Sequence, residues 1–263
     1  MMEDSYRKIG DKSGYTTTVP AVDQAAKVLI SLAKSQETAM RLTDIFREVD
    51  IPPSKAFSIL ATLNKYGFIE KDPQTKTYSL GLGLLFLARR VLDRLDIRDI
   101  VTPFVEELSK QTRKTVFFGL NNEEHVFVVA KREGDPFMDI SIRLGHRFHM
   151  TFGAIGKAIV AFLSETEREK ILSKNNLYFY GDPSRMDKDR LIKEIEQCRK
   201  RGFAEERGDI RPGIHAVSAP VMGPGEKVIG CLTLIGTFAE SLAEKYGHQV
   251  AYTGRRISDK FTI

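Results

Sequence analysis

The sequence predicts an α+β protein: an amino-terminal winged helix-turn-helix, a linker helix, and a carboxy-terminal antiparallel sheet with flanking helices. Three observations predict it. Three segments before residue 66 carry apolar residues at helical spacing, two strand-like runs follow around Asp72-Pro73, and from Thr115 onward short β runs alternate with helices. The boundaries drawn on this pattern are 19–81 for the winged part, 82–111 for the linker helices and 112–263 for the remainder.

In the first segment, AVDQAAKVLISLAK puts Ala25, Val28, Leu29 and Leu32 on one face, with Asp23 near the positive end of the helix, where a carboxylate is favoured. The second, RLTDIFREVD, sets Leu42, Ile45, Phe46 and Val49 at i, i+3, i+4 and i+7, with Thr43 placed to cap the first turn. The third, IPPSKAFSILATLNKYGFI, repeats the spacing with Ala56, Ile59, Leu60 and Leu63. Pro52 and Pro53 suit only a turn and a first helical turn, so they define its start, and Gly67 marks its stop.

At 100° per residue, the side of the third helix opposite its apolar stripe carries Ser54, Ser58, Ala61 and Lys65, with Lys55 and Thr62 on one flank. These are small or hydrogen-bonding side chains. FIEKDPQTKTYSL then forms two strands around Asp72-Pro73, with Lys71 and Lys76 beside the turn. Three helices and a hairpin make a winged helix-turn-helix, in which the third helix enters the major groove and wing lysines meet phosphates. Docking of another protein is the alternative use of such a module.

Residues 81 to 111 read as one long helix or two in tandem. Leu84, Leu87, Ala88, Val91, Leu92 and Leu95 lie on one side, and Pro103 marks a second start. Such a stripe suits pairing with a partner chain. Further on, TVFFGL and HVFVVAKRE flank the turn NNEE, and DISIRL is expected as another strand. AIGKAIVAFL and LIKEIEQCRKRG are expected as helices, IHAVSAPV and VIGCLTLIG as strands around GPGEK, and a helix closes the chain.

The 263 residues are 42% hydrophobic and 29% charged, enough apolar material for two modest cores. The net charge of +5 is spread along the chain rather than gathered in a basic tail, so charge alone points only weakly to nucleic acid. Two cysteines, Cys198 and Cys231, lie too far apart for a CxxC site and fit a reduced compartment. The amino terminus has no apolar run suited to a signal peptide. The greasiest stretch, LGLGLLFLA, is far short of the ~20 residues a bilayer requires, so a cytoplasmic protein without membrane contact is expected.

Catalytic patterns fail on inspection. The string around Gly156-Lys157 lacks the glycine and the Ser or Thr of a phosphate loop, having Thr151 and Ala158 in those places. His146 and His149 form an HxxH without a third ligand, and Ser218 and Cys231 have neither a nucleophile turn nor a neighbouring base. No enzyme, metal or cofactor is expected. A hydrolase or transferase using a carboxy-terminal pocket is the alternative.

The ordered pieces AVDQAAKVL, LTDIF, IPPSKAFSILATLNKYGFIEKD, YSLGLGLLFLA, TFGAIGKAIVAFL, CRKRGFAEE, GIHAVSAPV and VIGCLTLIG together resemble the IclR family of transcription regulators, from about Val19 onward. The resemblance implies a winged helix that binds double-stranded operator DNA, joined to a GAF-like domain that binds a small-molecule effector, in a homodimer or dimer of dimers. Where the family carries Lys just before a Ser-Thr pair and Arg four residues after that Ser, this chain has Pro53 and Ser58, with Lys55 in the place of the Thr. The resemblance also places effector contacts on the loop Gly153, Ala154 and Ile155, on the acidic position Glu206, and on Ile214, Ala216, Thr233 and Ile235. Independently, backbone amides at a helix start suit a carboxylate, so a small organic acid is the expected effector. Strand parity puts 214 with 216 and 233 with 235 on common faces.

Overall fold

A computed structural model describes residues 18–35, 37–92, 96–122, 124–135 and 140–261. The polar leader before residue 18 lies outside them. The chain divides between residues 95 and 96 into two compact units.

In the first unit, α1 (Pro20–Lys34) is followed by β1 (Met40–Arg41), α2 (Leu42–Val49), α3 (Pro53–Lys65), β2 (Ile69–Lys71), β3 (Thr77–Leu80) and α4 (Gly83–Leu92). The apolar faces expected from spacing converge. Val28, Leu32, Ile45, Ala56, Ile59, Leu60, Leu63, Ile69 and Tyr78 form one buried cluster, with Ala25, Leu29, Leu42, Phe46 and Val49 packed against it. Each large aliphatic side chain so buried contributes roughly 1.5–3 kcal/mol.

The small antiparallel sheet runs β1-β3-β2. β1 pairs Met40 with Tyr78 and ties the approach to α2 onto the wing. Its two residues are too few to leave a periodic signature. Thr43 does not cap α2: the N-cap is Arg41, without a side-chain cap, and the Thr43 hydroxyl turns to Asp44 instead. Of the expected linker stripe, the side chains of Val91, Leu92 and Leu95 lie outside the described ones; Leu82, Leu85, Phe86 and Leu87 are exposed.

The second unit opens with α5 (Asp96–Thr112), in which Pro103 is an interior residue and not a start. Proline there removes a helical N–H, yet Pro103 and Asp99, whose carbonyl loses its partner, both face water. Val101, Val105 and Leu108 are buried on either side of it and hold the helix to its sheet. Then come β4 (Thr115–Asn122), β5 (His125–Arg132), β6 (Arg147–His149), α6 (Gly153–Ala161), α7 (Glu165–Leu172), α8 (Lys188–Arg201), β7 (Ala204–Arg207), β8 (His215–Met222), β9 (Val228–Gly236) and α9 (Ala243–Ser258).

The strands make one six-stranded antiparallel sheet in the order β6-β5-β4-β9-β8-β7. Alternation sorts its two faces. Val116, Phe118, Val217, Ala219, Leu232 and Leu234 meet α5 and α9, while Phe117, Val126, Val128 and Cys231 meet Ile155 and Ile159 of α6.

Two further expectations are corrected here. DISIRL is not a strand over its described residues 140–144; Ile142 is buried and Ile140 packs beside it, but the segment is irregular and the ladder with β5 forms at Arg147–His149. Alternating apolar residues specify which side chains turn inward, and not that the backbone joins a ladder. α7 was not expected, although Ser164 and Glu167 form a complete capping box.

Candidate functional site

Two regions gather the residues singled out in the sequence. The first is the outer side of α3 with the wing. Ser54, Lys55, Ser58, Ala61, Thr62, Lys65, Lys71 and Lys76 are all exposed. The Ser58 hydroxyl donates to the Ser54 carbonyl at 3.1 Å and the Thr62 hydroxyl to the Ser58 carbonyl at 2.8 Å, so both present lone pairs outward, not protons.

The wing turn is held by Asp72, whose carboxylate accepts from the amides of Gln74 at 2.7 Å and Thr75 at 3.1 Å. The Thr75 and Gln74 amides also keep its pKa below the usual carboxylate range. Lys76 sits at φ +56 in this turn, and Lys71 Nζ lies 5.6 Å from the centre of the Tyr78 ring. The sequence reading missed Phe57 and Asn64, on the flank of α3 opposite Lys55 and Thr62. With Leu60, Ala61, Lys71 and Tyr78 they line a notch of about 150 Å³ between helix and wing.

The second region lies in the second unit, on the sheet face under α6. Cross-strand register sets Glu206 beside Ala216, Ala216 beside Ile235, and Ser218 beside Thr233. The Ser218 and Thr233 hydroxyls bond each other at 2.8 Å. Ile214 precedes β8 and is half-buried, while Ile155 and Ile235 join the cluster around Phe117.

Gly153 is the first residue of α6, at φ +52; a Cβ there would lie 3.6 Å from Glu206 Cγ and 2.8 Å from Ile210 Cδ1. The structure therefore brings Gly153, Ala154, Ile155 and Glu206 to one place. The Gly153 amide, expected to be open, donates to the Tyr178 carbonyl at 3.4 Å, and the helical ladder begins with Gly156 to Phe152 at 2.9 Å. No side chain among the described residues caps this end, so the first-turn amides of Ala154 and Ile155 are left without a partner there.

Ile210, absent from the sequence reading, packs over this place. It fills the space between Gly153 and Gly181: a Cβ on Gly181, itself at φ +86, would sit 3.4 Å from Ile210 Cγ1. The Ile210 amide donates to Glu206 Oε1 at 3.1 Å. Glu206 is 4% exposed, and burial pushes its carboxyl pKa up, against the Ile210 and Asp209 amides that favour the charge.

The segment carrying Ile210 is latched by Asp209, whose two carboxylate oxygens accept from Arg190 at 2.9 and 2.7 Å. Arg190 also bonds Glu194 at 2.9 Å, and Glu194 accepts from Lys157 at 2.7 Å and from the Tyr180 hydroxyl at 3.0 Å. Lys157, only 1% exposed, donates further to the Glu205 carbonyl at 3.2 Å. This network, buried at Lys157 and open to water at Arg190, ties α6, α8 and the β7–β8 connection together. Apart from the Arg190–Glu194 pair on one face of α8, its members come from different elements, so no local spacing announces them.

At the entrance to α6, His149 Nδ1 accepts from the Thr151 amide at 3.2 Å and lies 2.7 Å from the Thr151 hydroxyl, which itself accepts from the Tyr178 amide at 3.0 Å. Burial first, then the neighbouring His125 and Lys174, push its pKa down to about 4. His146 is engaged elsewhere, against the Phe148 ring at 4.5 Å. Among the described residues, no three of His, Cys, Asp and Glu come together as metal ligands. Cys198 and Cys231 are free and buried, each thiol pushed up to about 12 chiefly by burial.

Residues 21–73 match the model of the IclR helix-turn-helix domain, and residues 89–259 match that of the bacterial transcriptional regulator IclR carboxy-terminal domain. The HTH-type transcriptional regulator XynR of Escherichia coli is 27% identical over 216 residues, 82% of this chain and 85% of that protein. An IclR transcriptional regulator from Alicyclobacillus acidocaldarius has a similar structure, with a TM-score of 0.78 at 23% identity over 92% of this chain and 98% of that one. An IclR homologue from Microbacterium hydrocarbonoxydans, solved with 4-hydroxybenzoate, gives 0.71 at 18% identity over 91% and 99%. No helix among the described residues is long and apolar enough to cross a membrane.

Proposed function

The chain belongs to the IclR family of bacterial transcriptional regulators, and on that premise we propose a regulator whose hold on operator DNA responds to a small organic acid bound between α6 and Glu206. The observation that carries the effector reading is the juxtaposition at the start of α6: two backbone amides without partners among the described residues, close to a buried carboxyl, on the sheet face that carries Ala216, Thr233 and Ile235. Amides at a helix start attract a carboxylate, while an ionised Glu206 accepts only from a hydroxyl or amine. A ligand with an acid at one end and a hydroxyl at the other answers both. 4-Hydroxybenzoate, held by the Microbacterium relative, has that pattern and is the first compound to titrate.

On the DNA side, α3 with Ser54, Lys55, Ser58, Thr62 and Lys65 reads the major groove, and Lys71 and Lys76 of the wing meet phosphates. The exposed leucines and Phe86 of α4 suit pairing with a second copy, giving a homodimer or dimer of dimers that reads half-sites one helical turn, about 34–36 Å, apart or a multiple of it. Ligand binding alters operator affinity only through its preference for one arrangement of the assembly; a tenfold change needs about 1.4 kcal/mol of preference.

The test has two arms. Calorimetry with 4-hydroxybenzoate and with small molecules retained by the purified protein is repeated on Gly153→Val and Glu206→Gln; both variants are expected to lose binding, and wild-type affinity in both would move the pocket elsewhere. Fluorescence anisotropy on DNA flanking the protein's own gene is expected to show salt-dependent, sequence-preferring binding that the ligand shifts. Binding that ignores sequence would remove the operator reading.

A further inference from the structure

We propose that α3 reads A·T base pairs through the flank it turns toward the wing, with Phe57 and Ala61 against thymine methyl groups and Asn64 against an adenine. This rests on α3 being the operator-contacting helix. Phe57, Ala61 and Asn64 follow one another at i, i+4 and i+7 on that flank, and all three are exposed, Phe57 to 55%. Together with Lys71 and Tyr78 they border the notch between helix and wing.

Among the described residues, Phe57 takes no part in the apolar cluster of its unit. The cation beside it is Lys71 of the wing, which borders the same notch, and Lys65 stands on the adjoining outer face of α3, a setting that suits a polyanion. The apolar group that a duplex offers in its major groove is the C5 methyl of thymine. A phenyl ring and a methyl side chain one turn apart on that surface are suited to two such methyls.

Asn64 supplies the matching polar reader. Its side-chain amide is exposed and makes no hydrogen bond among the described residues, and one donor beside one acceptor is the pattern that pairs with adenine N6 and N7. Guanine is poorly served. On this flank α3 brings no arginine or lysine, the usual guanine readers, since Lys55 lies on the opposite flank, and the outward hydroxyls at Ser58 and Thr62 have already donated their protons to carbonyls. At about 1.5 Å of rise per residue, Asn64 lies roughly 10 Å along the helix from Phe57, about three base steps of 3.4 Å. The half-site should therefore carry a thymine and an adenine about three steps apart.

The experiment uses the full chain and duplexes enriched from a randomised pool by binding. A·T pairs at this spacing are expected in the enriched half-site. Replacing each thymine by deoxyuridine removes the methyl alone; wild type should lose about fourfold in affinity at one or two positions, as expected for one buried methyl-sized group. Phe57→Ala should show that loss on thymine DNA and be indifferent to uracil, and Phe57→Leu should recover part of it. Asn64→Ala should lose about tenfold and be indifferent to 7-deazaadenine, which lacks N7. Enriched sites with G·C under α3, or wild type binding uracil as tightly as thymine, would overturn the proposal while leaving operator binding in place. Enrichment of no sequence would overturn both.

Discussion

α3 and α6 are short helices without a side-chain cap at their start, and they are embedded in opposite ways. α3 buries Ala56, Ile59, Leu60 and Leu63 and leaves every other residue to water. In α6 all residues from Gly153 to Ala161 are buried. A helix anchored along one stripe keeps a face whose chemistry is independent of folding. One enclosed on all sides has no such face, so a ligand site at its start shares its residues with the core. DNA contact and stability should thus separate on α3, whereas ligand binding and stability should be entangled at α6.

The strongest way to break this comparison is Lys157→Ala. It leaves Glu194 to Arg190 and Tyr180 and empties the space of a fully buried side chain, and should cost about 2–5 kcal/mol in urea denaturation. A loss under about 1 kcal/mol would mean that α6 tolerates change as α3 does. Gly153→Val comes next: φ +52 disfavours a β-branched residue and the added carbon meets Ile210, for an expected loss of about 1–3 kcal/mol together with ligand binding. Full stability with ligand binding abolished would show that the two are separable after all.

Acid sharpens the contrast, because a titrating group guards α6 while Pro52 and Pro53 precede α3. His149 is pushed down to about 4 from an ordinary 6.5, so the folded state favours its neutral form. Its contribution is fully present above pH 6.5 and is lost as pH falls through about 4, by about 1–2 kcal/mol after allowance for partial exposure. His149→Gln should flatten that part of the stability profile for the second unit, with little effect on the first. An unchanged profile would remove His149 from the account.

Lys55→Ala and Thr62→Ala lie at the other extreme. Each should change stability by less than about 0.5 kcal/mol yet weaken specific DNA binding, and Lys71→Ala should weaken all DNA binding and lower the salt slope by about 1. Unchanged footprints in all three would take α3 and the wing out of the interface.

The same contrast explains how much could be read in advance. On α1, α2 and α3 a polar side faces water, so period and composition identify the buried residues one by one, and Asp72-Pro73 announces the hairpin. α6 has no polar side and offers no period to read. Its placement was legible only as a helix between β runs, and the neighbours that pack at its start, Ile210, Gly181 and the Arg190–Asp209 latch, were not legible at all. Thr43 and Pro103 were misread because capping and breaking rules describe an isolated helix. Here β1 feeds directly into α2, and buried valines on either side of Pro103 keep α5 continuous.

By itself the sequence determined what depends on residues within a few turns of one another: the three amphipathic helices, the turn of the wing, the alternation of the sheet strands and the exposed face of α3. Only the tertiary structure decided that Gly153 meets Glu206, that Ile210 packs between Gly153 and Gly181, and that Lys157 is neutralised by Glu194. Those contacts join residues brought together by strand register and helix packing, and the free energy that selects them belongs to the whole buried assembly, which no short window of sequence contains.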